Sequence, residues 1–253
     1  MDEEQVLTGG NATDGGVVRV GATVRKPWTS STPSVVDFMT ALRGAGVDVP
    51  EVLGRDEQGR QVTEFVPGPL ALDAEPLTRA ELRRVGAMVR RIHDASETYI
   101  PAGDAWWTTA IPAPGAELIC HNDLAPWNLI IGDRWVFIDW DAAAPSTRLW
   151  DLAYAAGAFT LSDTGQPPRE AAQNLAAFID GYDADESLRQ QLPAALGRRA
   201  EAMHHLLESA HRDGREPWGS MYADGHGEHW RAATDYATRH HDLWAETLLA
   251  SVR

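Results

Sequence analysis

The spacing of apolar residues along the chain changes character twice. Near the N-terminus, Val17-Val18-Arg19-Val20 and Thr23-Val24-Arg25-Lys26 flank Gly21-Ala22, which predicts a strand, a glycine turn and a second strand. Thr32-Pro33 then supplies a helix start. Val35, Phe38, Met39 and Leu42 line one face of the predicted helix, and Gly44 and Gly46 end it. Two short strands follow, around residues 51–54 and 61–66, before Pro67-Gly68-Pro69 breaks the chain. Beyond that break the pattern becomes helical. Thr78 with Glu81 three residues on is a capping box, and Leu82, Val85, Val89 and Ile92 recur at helical spacing. A second β section covers residues 118–120, 129–131 and 135–139, with Gly132-Asp133 turning between the last two. From Trp150 onward the pattern is helical again, with stripes such as Leu196/Ala200/Met203/Leu207 and Trp230/Ala237/Trp244/Leu248. Pro167-Pro168 and residues 216–227 are the expected loops. The order predicts an α+β, two-lobed chain: a small β-rich lobe over residues 1–66 and a larger, mainly helical lobe over 67–253.

Composition narrows the classes of function. The 253 residues carry a formal charge of −15, which argues against nucleic-acid binding, because backbone affinity comes from Lys and Arg neutralising phosphates. A hydrophobic content of 43% excludes a disordered acidic tail. No apolar run approaches the ~18 residues of a membrane helix, the N-terminal Met-Asp-Glu-Glu lacks the order of a signal peptide, and the single cysteine, Cys120, has no partner. A cytoplasmic protein is expected. Lys26 is the only lysine in a chain otherwise rich in arginine.

The chemistry concentrates in Ile119-Cys120-His121-Asn122-Asp123-Leu124-Ala125-Pro126-Trp127-Asn128, followed by Val136-Phe137-Ile138-Asp139-Trp140-Asp141. A carboxylate and an amide five residues apart sit in a proline-containing loop between apolar strands, and a second carboxylate ends the next strand. Phosphoryl transfer needs such a set: one carboxylate to orient a hydroxyl and accept its proton, and hard oxygens for Mg²⁺. Positioning matters more than basicity, since the transition state is loose.

This segment resembles the catalytic and metal-binding loops of the aminoglycoside phosphotransferase-like small-molecule kinases, which share the two-lobed protein-kinase-like fold. The resemblance extends from Leu7-Thr8-Gly9-Gly10 to Trp150-Asp151-Leu152-Ala153. It implies that Asp123 is the catalytic base, that Asn128 and Asp139 hold Mg²⁺, and that the phosphoryl donor is ATP, with GTP as the alternative. Asp141 would be an accessory acid, Asp151 an anchor for the catalytic loop, and His121 a residue that holds the loop by hydrogen bonds. In the first lobe, Gly9, Gly10 and Asn11 are candidates for a phosphate-approaching loop or a plain hairpin turn. Either Arg25 or Lys26 would meet the phosphates, since alternation points only one of them into the cleft. Asp37 is the expected acidic partner of that residue, and the Glu64-Phe65-Val66 stretch fits the segment whose backbone meets the adenine edge.

The acceptor is less determined. A small-molecule hydroxyl is implied, cationic and aminoglycoside-like in one reading; choline, a sugar, an amino alcohol or homoserine is the alternative, as is a non-catalytic nucleotide-binding module. Nine residues between Asp141 and Asp151 leave little room for a peptide-docking segment, which argues against a protein kinase. Glu201, Glu208, Asp213 and Asp224 are candidates to attract a cation, with a solvated face as the competing reading. Trp106, Trp107, Trp218 and Trp230 can offer aromatic faces to a substrate or simply pack. Seven of the nine histidines fall between His204 and His241, more in keeping with a helical surface or pocket than with a metal site.

Overall fold

A computed structural model describes residues 3–7 and 16–250. Gly9, Gly10 and Asn11, the candidate phosphate loop, lie outside the described residues.

Five short strands form one antiparallel sheet: β1 (Glu4–Leu7), β2 (Val17–Val20), β3 (Thr23–Lys26), β4 (Val52–Arg55) and β5 (Gln61–Glu64), in the order β1-β2-β3-β5-β4. Gly21, at φ 59°, makes the tight turn between β2 and β3, a conformation glycine adopts without penalty. Between β3 and β4 comes helix α1 (Thr32–Gly44), which buries Val35, Phe38, Met39 and Leu42 as its stripe predicts. Thr32 is not its cap. The Thr32 hydroxyl accepts from the Thr29 amide at 2.9 Å instead, and Ser31 takes the cap position without a side-chain bond. Phe38 packs against Tyr99, Trp107 and Trp140 at centroid distances of 5.1, 6.4 and 5.9 Å, so α1 docks through an aromatic patch onto the rest of the molecule.

The stretch Pro67–Pro69 does not hang free. The Ile131 amide donates to the Pro69 carbonyl at 3.0 Å, and Gly68, at φ 143°, lies so close that a Cβ there would stand 2.8 Å from Ile130. Helix α2 (Arg79–Glu97) then begins at the expected capping box: the Glu81 amide donates to Thr78 Oγ1, and the Glu81 carboxylate accepts from the Thr78 amide. Two short antiparallel pairs carry the chemistry-bearing loops. Strand β6 (Leu118–Cys120) pairs with β9 (Ala144–Ser146), while β7 (Leu129–Ile131) and β8 (Trp135–Phe137) form a hairpin. Strand β9 and strand β1 escape the sequence pattern because neither alternates clearly.

The remaining helices are α3 (Arg148–Thr160), α4 (Pro168–Tyr182), α5 (Glu186–Asp213), α6 (Trp218–Met221), α7 (Gly227–Arg239) and α8 (His241–Ala250). Residues 216–227, expected as a loop, are largely helical: α6 runs on through a π-type turn at Tyr222–His226, with Gly225 at φ 103° absorbing the kink. Pro168 begins α4, where the missing N–H costs nothing. The stripe from Trp230 to Leu248 is split by a turn at His240, yet Ala237, Trp244 and Leu248 remain buried together. The main core joins α1, α2, α4 and the β6–β8 region. None of the helices in the described residues is long and apolar enough to cross a membrane.

Candidate active site

Strand β6 delivers the chain to His121, and the next residues are held by a dense set of bonds. Asn122 adopts the left-handed conformation at φ 64°, which Asn tolerates better than most residues. Its side-chain amide donates to the carbonyls of Cys120, Ala142 and Ala144 at 3.3, 3.1 and 3.2 Å, tying the loop to the segment that enters β9. The Asn122 N–H donates to Asp151 Oδ1 at 2.8 Å. Asp151, on α3 and fully buried, is held in turn at Oδ2 by His93 Nε2 at 2.9 Å, and His93 Nδ1 meets the Tyr182 hydroxyl at 2.8 Å. Asp151 is thus an anchor for the loop. A buried carboxylate persists where each of its oxygens has a donor. His93 is a bonded member of this chain of contacts rather than a merely packed core residue.

His121 joins the two functional loops. The Asp123 amide donates to its Nδ1 at 3.3 Å, which leaves the proton on Nε2 to bond the Ile138 carbonyl at 3.1 Å. Its ring lies against buried Trp140 with centroids 4.5 Å apart. Both nitrogens are therefore spoken for.

Both carboxylate oxygens of Asp123 are oriented. Tyr154, on α3, donates its hydroxyl to Oδ1 at 2.7 Å, and Asn128 Nδ2 donates to Oδ2 at 2.8 Å and to the Asp123 carbonyl at 3.0 Å. Burial pushes the Asp123 carboxyl above its usual range, against the lowering effect of the Tyr154 bond. Strand β8 ends at Phe137, and two residues on stands Asp139, exposed and left-handed at φ 58°. That turn of the backbone aims the chain into a short helical turn, Trp140–Ala142, and places Asp139 and Asp141 beside one another's partner, Lys26.

Lys26 and Arg25 separate as strand alternation requires. Lys26 Nζ lies 2.6 Å from Asp141 Oδ1 and 3.4 Å from Asp139 Oδ1, whereas Arg25 turns to the other face and meets Asp56 at 3.4 Å. Burial would lower the Lys26 ammonium, but the two carboxylates outweigh it and hold the group protonated, above its ordinary value. Asp37 does not pair with either residue: it lies on the exposed side of α1 and accepts the Tyr99 hydroxyl at 2.7 Å. The role expected of Asp37 is filled by Asp139 and Asp141. For Glu64 the expectation concerns the backbone, and the side chain is engaged within the protein. Its carboxylate takes Arg134, on the β7–β8 turn, and the Glu51 amide. Val66 is buried in a small apolar cluster with Ile130 and Val136.

The donor set suits a hard divalent cation. Asn128 turns its amide nitrogen to Asp123, which leaves the amide oxygen for a metal, and Asp139 contributes a carboxylate that is ion-paired, among the described residues, with Lys26. Among the described residues no thiolate or imidazole is offered there, as Mg²⁺ chemistry prefers.

Tyr154 and Arg199 belong to this site without a local sequence signal. Tyr154 lies three residues after Asp151 on α3, so the two share a helix face and reach the loop together. Arg199, on α5, stacks over the Tyr154 ring at 4.2 Å and reaches the Asn122 carbonyl at 3.4 Å. Tyr154 also helps to line a cavity of about 30 Å³, with Arg199, Trp127, His229, Trp230 and Leu196 among the other lining residues. Of the tryptophans, Trp230 stacks on Tyr154 at 6.0 Å, Trp140 and Trp107 pack, and Trp106 is exposed. Glu201, Glu208, Asp213 and Asp224 are all exposed and line no part of this cavity. His205 sits between Glu201 and Glu208 at 3.8 and 3.7 Å, the solvated face its neighbours suggest.

A β-sheet region and a larger helical part, joined through paired carboxylate loops, make this the fold of protein-kinase-like small-molecule kinases. Residues 99–189 match the model of the phosphotransferase enzyme family, a span that holds Asp123, Asn128, Asp139 and Asp151. Over its full length the chain superposes on a microcompartment-associated aminopropanol kinase with a TM-score of 0.61, covering 99% of this chain and 93% of that one at 18% identity. It superposes on an amicoumacin kinase in complex with AMP-PNP, Ca²⁺ and its ligand with a TM-score of 0.68, covering 93% and 88% at 15% identity. A choline/ethanolamine kinase family protein of Mesorhizobium loti gives 0.58, with 97% and 92% covered at 17% identity. Among curated sequences, the trifolitoxin immunity protein of Rhizobium leguminosarum bv. trifolii is 32% identical over 172 residues, and the chain spans 61% of that protein's length.

Proposed function

We propose that this chain is an ATP- and Mg²⁺-dependent phosphotransferase that moves the γ-phosphoryl group to a hydroxyl of a small molecule. Residues 1–66 form its nucleotide-binding lobe and residues 67–253 its helical, acceptor-binding lobe. The observation that carries this reading is the meeting of Lys26, from the sheet, with Asp139 and Asp141, from the metal loop, at 3.4 and 2.6 Å. A cation from one side and carboxylates from the other mark where triphosphate and metal would lie.

Asp123 orients the acceptor hydroxyl and takes its proton as the phosphoryl group departs; its two hydrogen bonds fix the carboxylate for that task. Lys26 binds the phosphates as a point charge, exchanging its carboxylate partners for phosphate oxygens. Asn128 and Asp139 would hold Mg²⁺, which would neutralise charge on the phosphates. The backbone of Glu64-Phe65-Val66 would meet the adenine edge, with the Val66 side chain anchored in the cluster of Ile130 and Val136. ATP as the donor places the reaction in the cytoplasm. An aminoglycoside-like polycation has little support at the cavity beside Asp123, which no acid lines.

Asp123→Asn and Asp139→Asn are each expected to lower transfer at least a hundredfold with the melting temperature little changed. Full activity of Asp139→Asn with Mg²⁺ would refute the metal assignment. A non-catalytic nucleotide-binding module would show a thermal shift with ATP and Mg²⁺ but no turnover on any hydroxyl compound.

A further inference from the structure

Helix α5 carries two buried arginines in contrasting circumstances. Arg189 is fully employed: its guanidinium bonds the carbonyls of Ala184 and Leu248 at 2.9 and 3.3 Å and the Asp180 carboxylate at 3.0 Å. Arg199, only 5% exposed, has one long bond to the Asn122 carbonyl at 3.4 Å, and its Nη1 is buried with no partner. No ion pair to it is found among the described residues. Its remaining contacts are the faces of Tyr154 and Trp150, at 4.2 and 5.5 Å. A buried guanidinium in this state is costly, and burial draws its affinity for the proton down. Groups of this kind are usually satisfied by a ligand or water.

The cavity that Arg199 lines supplies the room. Its volume of about 30 Å³ accommodates about two water-sized sites, at the ~10–15 Å³ that one such site needs. Two oxygen positions beside a guanidinium match a carboxylate, which the planar fork of arginine grips through two parallel bonds. Among the described residues no Asp or Glu lines the cavity to compete. Tyr154 forms part of its wall, and the hydroxyl of that same residue lies 2.7 Å from Asp123. The cavity and Asp123 therefore share Tyr154 as a neighbour.

We propose that Arg199 receives a carboxylate of the acceptor, so that the substrate is a small hydroxy acid or hydroxylated amino acid rather than a simple amino alcohol or polycation. The proposal rests on the phosphotransfer reading for the fate of the hydroxyl, but the carboxylate site can be measured without turnover. Trp127 and Trp230 line the cavity, so their fluorescence reports its occupancy.

The test is a fluorescence titration of the full chain with γ-hydroxybutyrate and hydroxypropionate, against aminobutanol and aminopropanol, which have matching lengths and the opposite charge. Saturable binding is expected for the hydroxy acids and not for the amino alcohols. Arg199→Met should weaken hydroxy-acid binding at least tenfold, and Arg199→Lys, which keeps the charge but loses the fork, should fall between. Binding of the amino alcohols alone, or equal binding by wild type and a folded Arg199→Met, would overturn the proposal; if Arg199→Met does not fold, the comparison of charges on the wild type decides. Transfer to an amino alcohol without hydroxy-acid binding would sink the carboxylate site and leave phosphotransfer standing. Arg199-dependent binding of hydroxy acids with no nucleotide-dependent transfer would sustain the site and count against phosphotransfer.

Discussion

Asn122 does as much for the site as the residues that would touch substrate. Three backbone carbonyls converge on its one amide, while its own N–H and carbonyl are taken by Asp151 and Arg199. The left-handed backbone at φ 64° lets all five contacts form at once. Asn122→Ala removes the donors, strands partly buried carbonyls and keeps an unfavourable backbone, so a loss of about 2–3 kcal/mol in stability is expected from chemical denaturation. A loss below ~0.5 kcal/mol would mean that water replaces the amide at no cost. Lys26 makes a different kind of prediction. Its removal in Lys26→Met relieves a buried ammonium but leaves Asp139 and Asp141 facing each other, so the melting temperature should move little while the KM for ATP rises at least tenfold. Arg25→Met should leave that KM unchanged, because Arg25 is engaged with Asp56 on the opposite face of the sheet.

At the scale of elements, two features decide how the site is held. Helices α2 and α4 cross at contact distance because Gly86 and Gly181 face one another's backbone. A Cβ on Gly86 would stand 2.0 Å from the Phe178 carbonyl oxygen, and one on Gly181 would stand 2.0 Å from that of Arg83. Alanine is ordinarily the better helix former by about 1 kcal/mol, yet here a rigid backbone carbonyl blocks it. Gly181→Ala should therefore destabilise by about 3 kcal/mol in denaturant melts, and a stabilised variant would contradict the close crossing. The second feature is Arg134, which links the β7–β8 turn to Asp48 at 2.6 Å and to Glu64 of β5. Partial burial raises the Glu64 carboxyl, but the hydrogen bond and charge of Arg134, with the Glu51 amide, together outweigh it and hold the group below its usual 4.5. A depressed folded pKa gives stability that is present above the unfolded value and disappears as pH falls through the folded one. Wild type should thus lose more stability than Arg134→Ala on acidification from pH 5 to pH 3, by a few tenths of a kcal/mol for so exposed a contact. Equal slopes would show the bridge to be idle.

Over the whole molecule, what could be read from the sequence depended on how far apart the contributing residues lie. The loop His121–Asn128 and the segment running to Asp139 are short-range patterns, and within them Asn128 bonds Asp123 and His121 bonds the Ile138 carbonyl. The capping box at Thr78 and the stripe of α2 are equally local. The phase of β3 was not: alternation says that Arg25 and Lys26 diverge, but only the packing of the sheet decides which one faces Asp139. Asp37 was misplaced for the same reason, since Tyr99 lies 62 residues away and takes its carboxylate. Tyr154 and Arg199 reach Asp123 and Asn122 across 31 and 77 residues, and no window of sequence contains such a pair. The charge of −15, which first excluded nucleic acid, is not gathered at the cavity: Glu201, Glu208, Asp213 and Asp224 are exposed to solvent and outside its lining. The account turns on phosphoryl transfer, and the most direct measurement is mass spectrometry of a hydroxy-compound panel incubated with ATP, Mg²⁺ and the full chain. Gain of one phosphoryl group by an acceptor with wild type, and its absence with Asp123→Asn, is the expected result. No phosphorylated product from wild type that binds ATP, or undiminished product from Asp123→Asn, would contradict it.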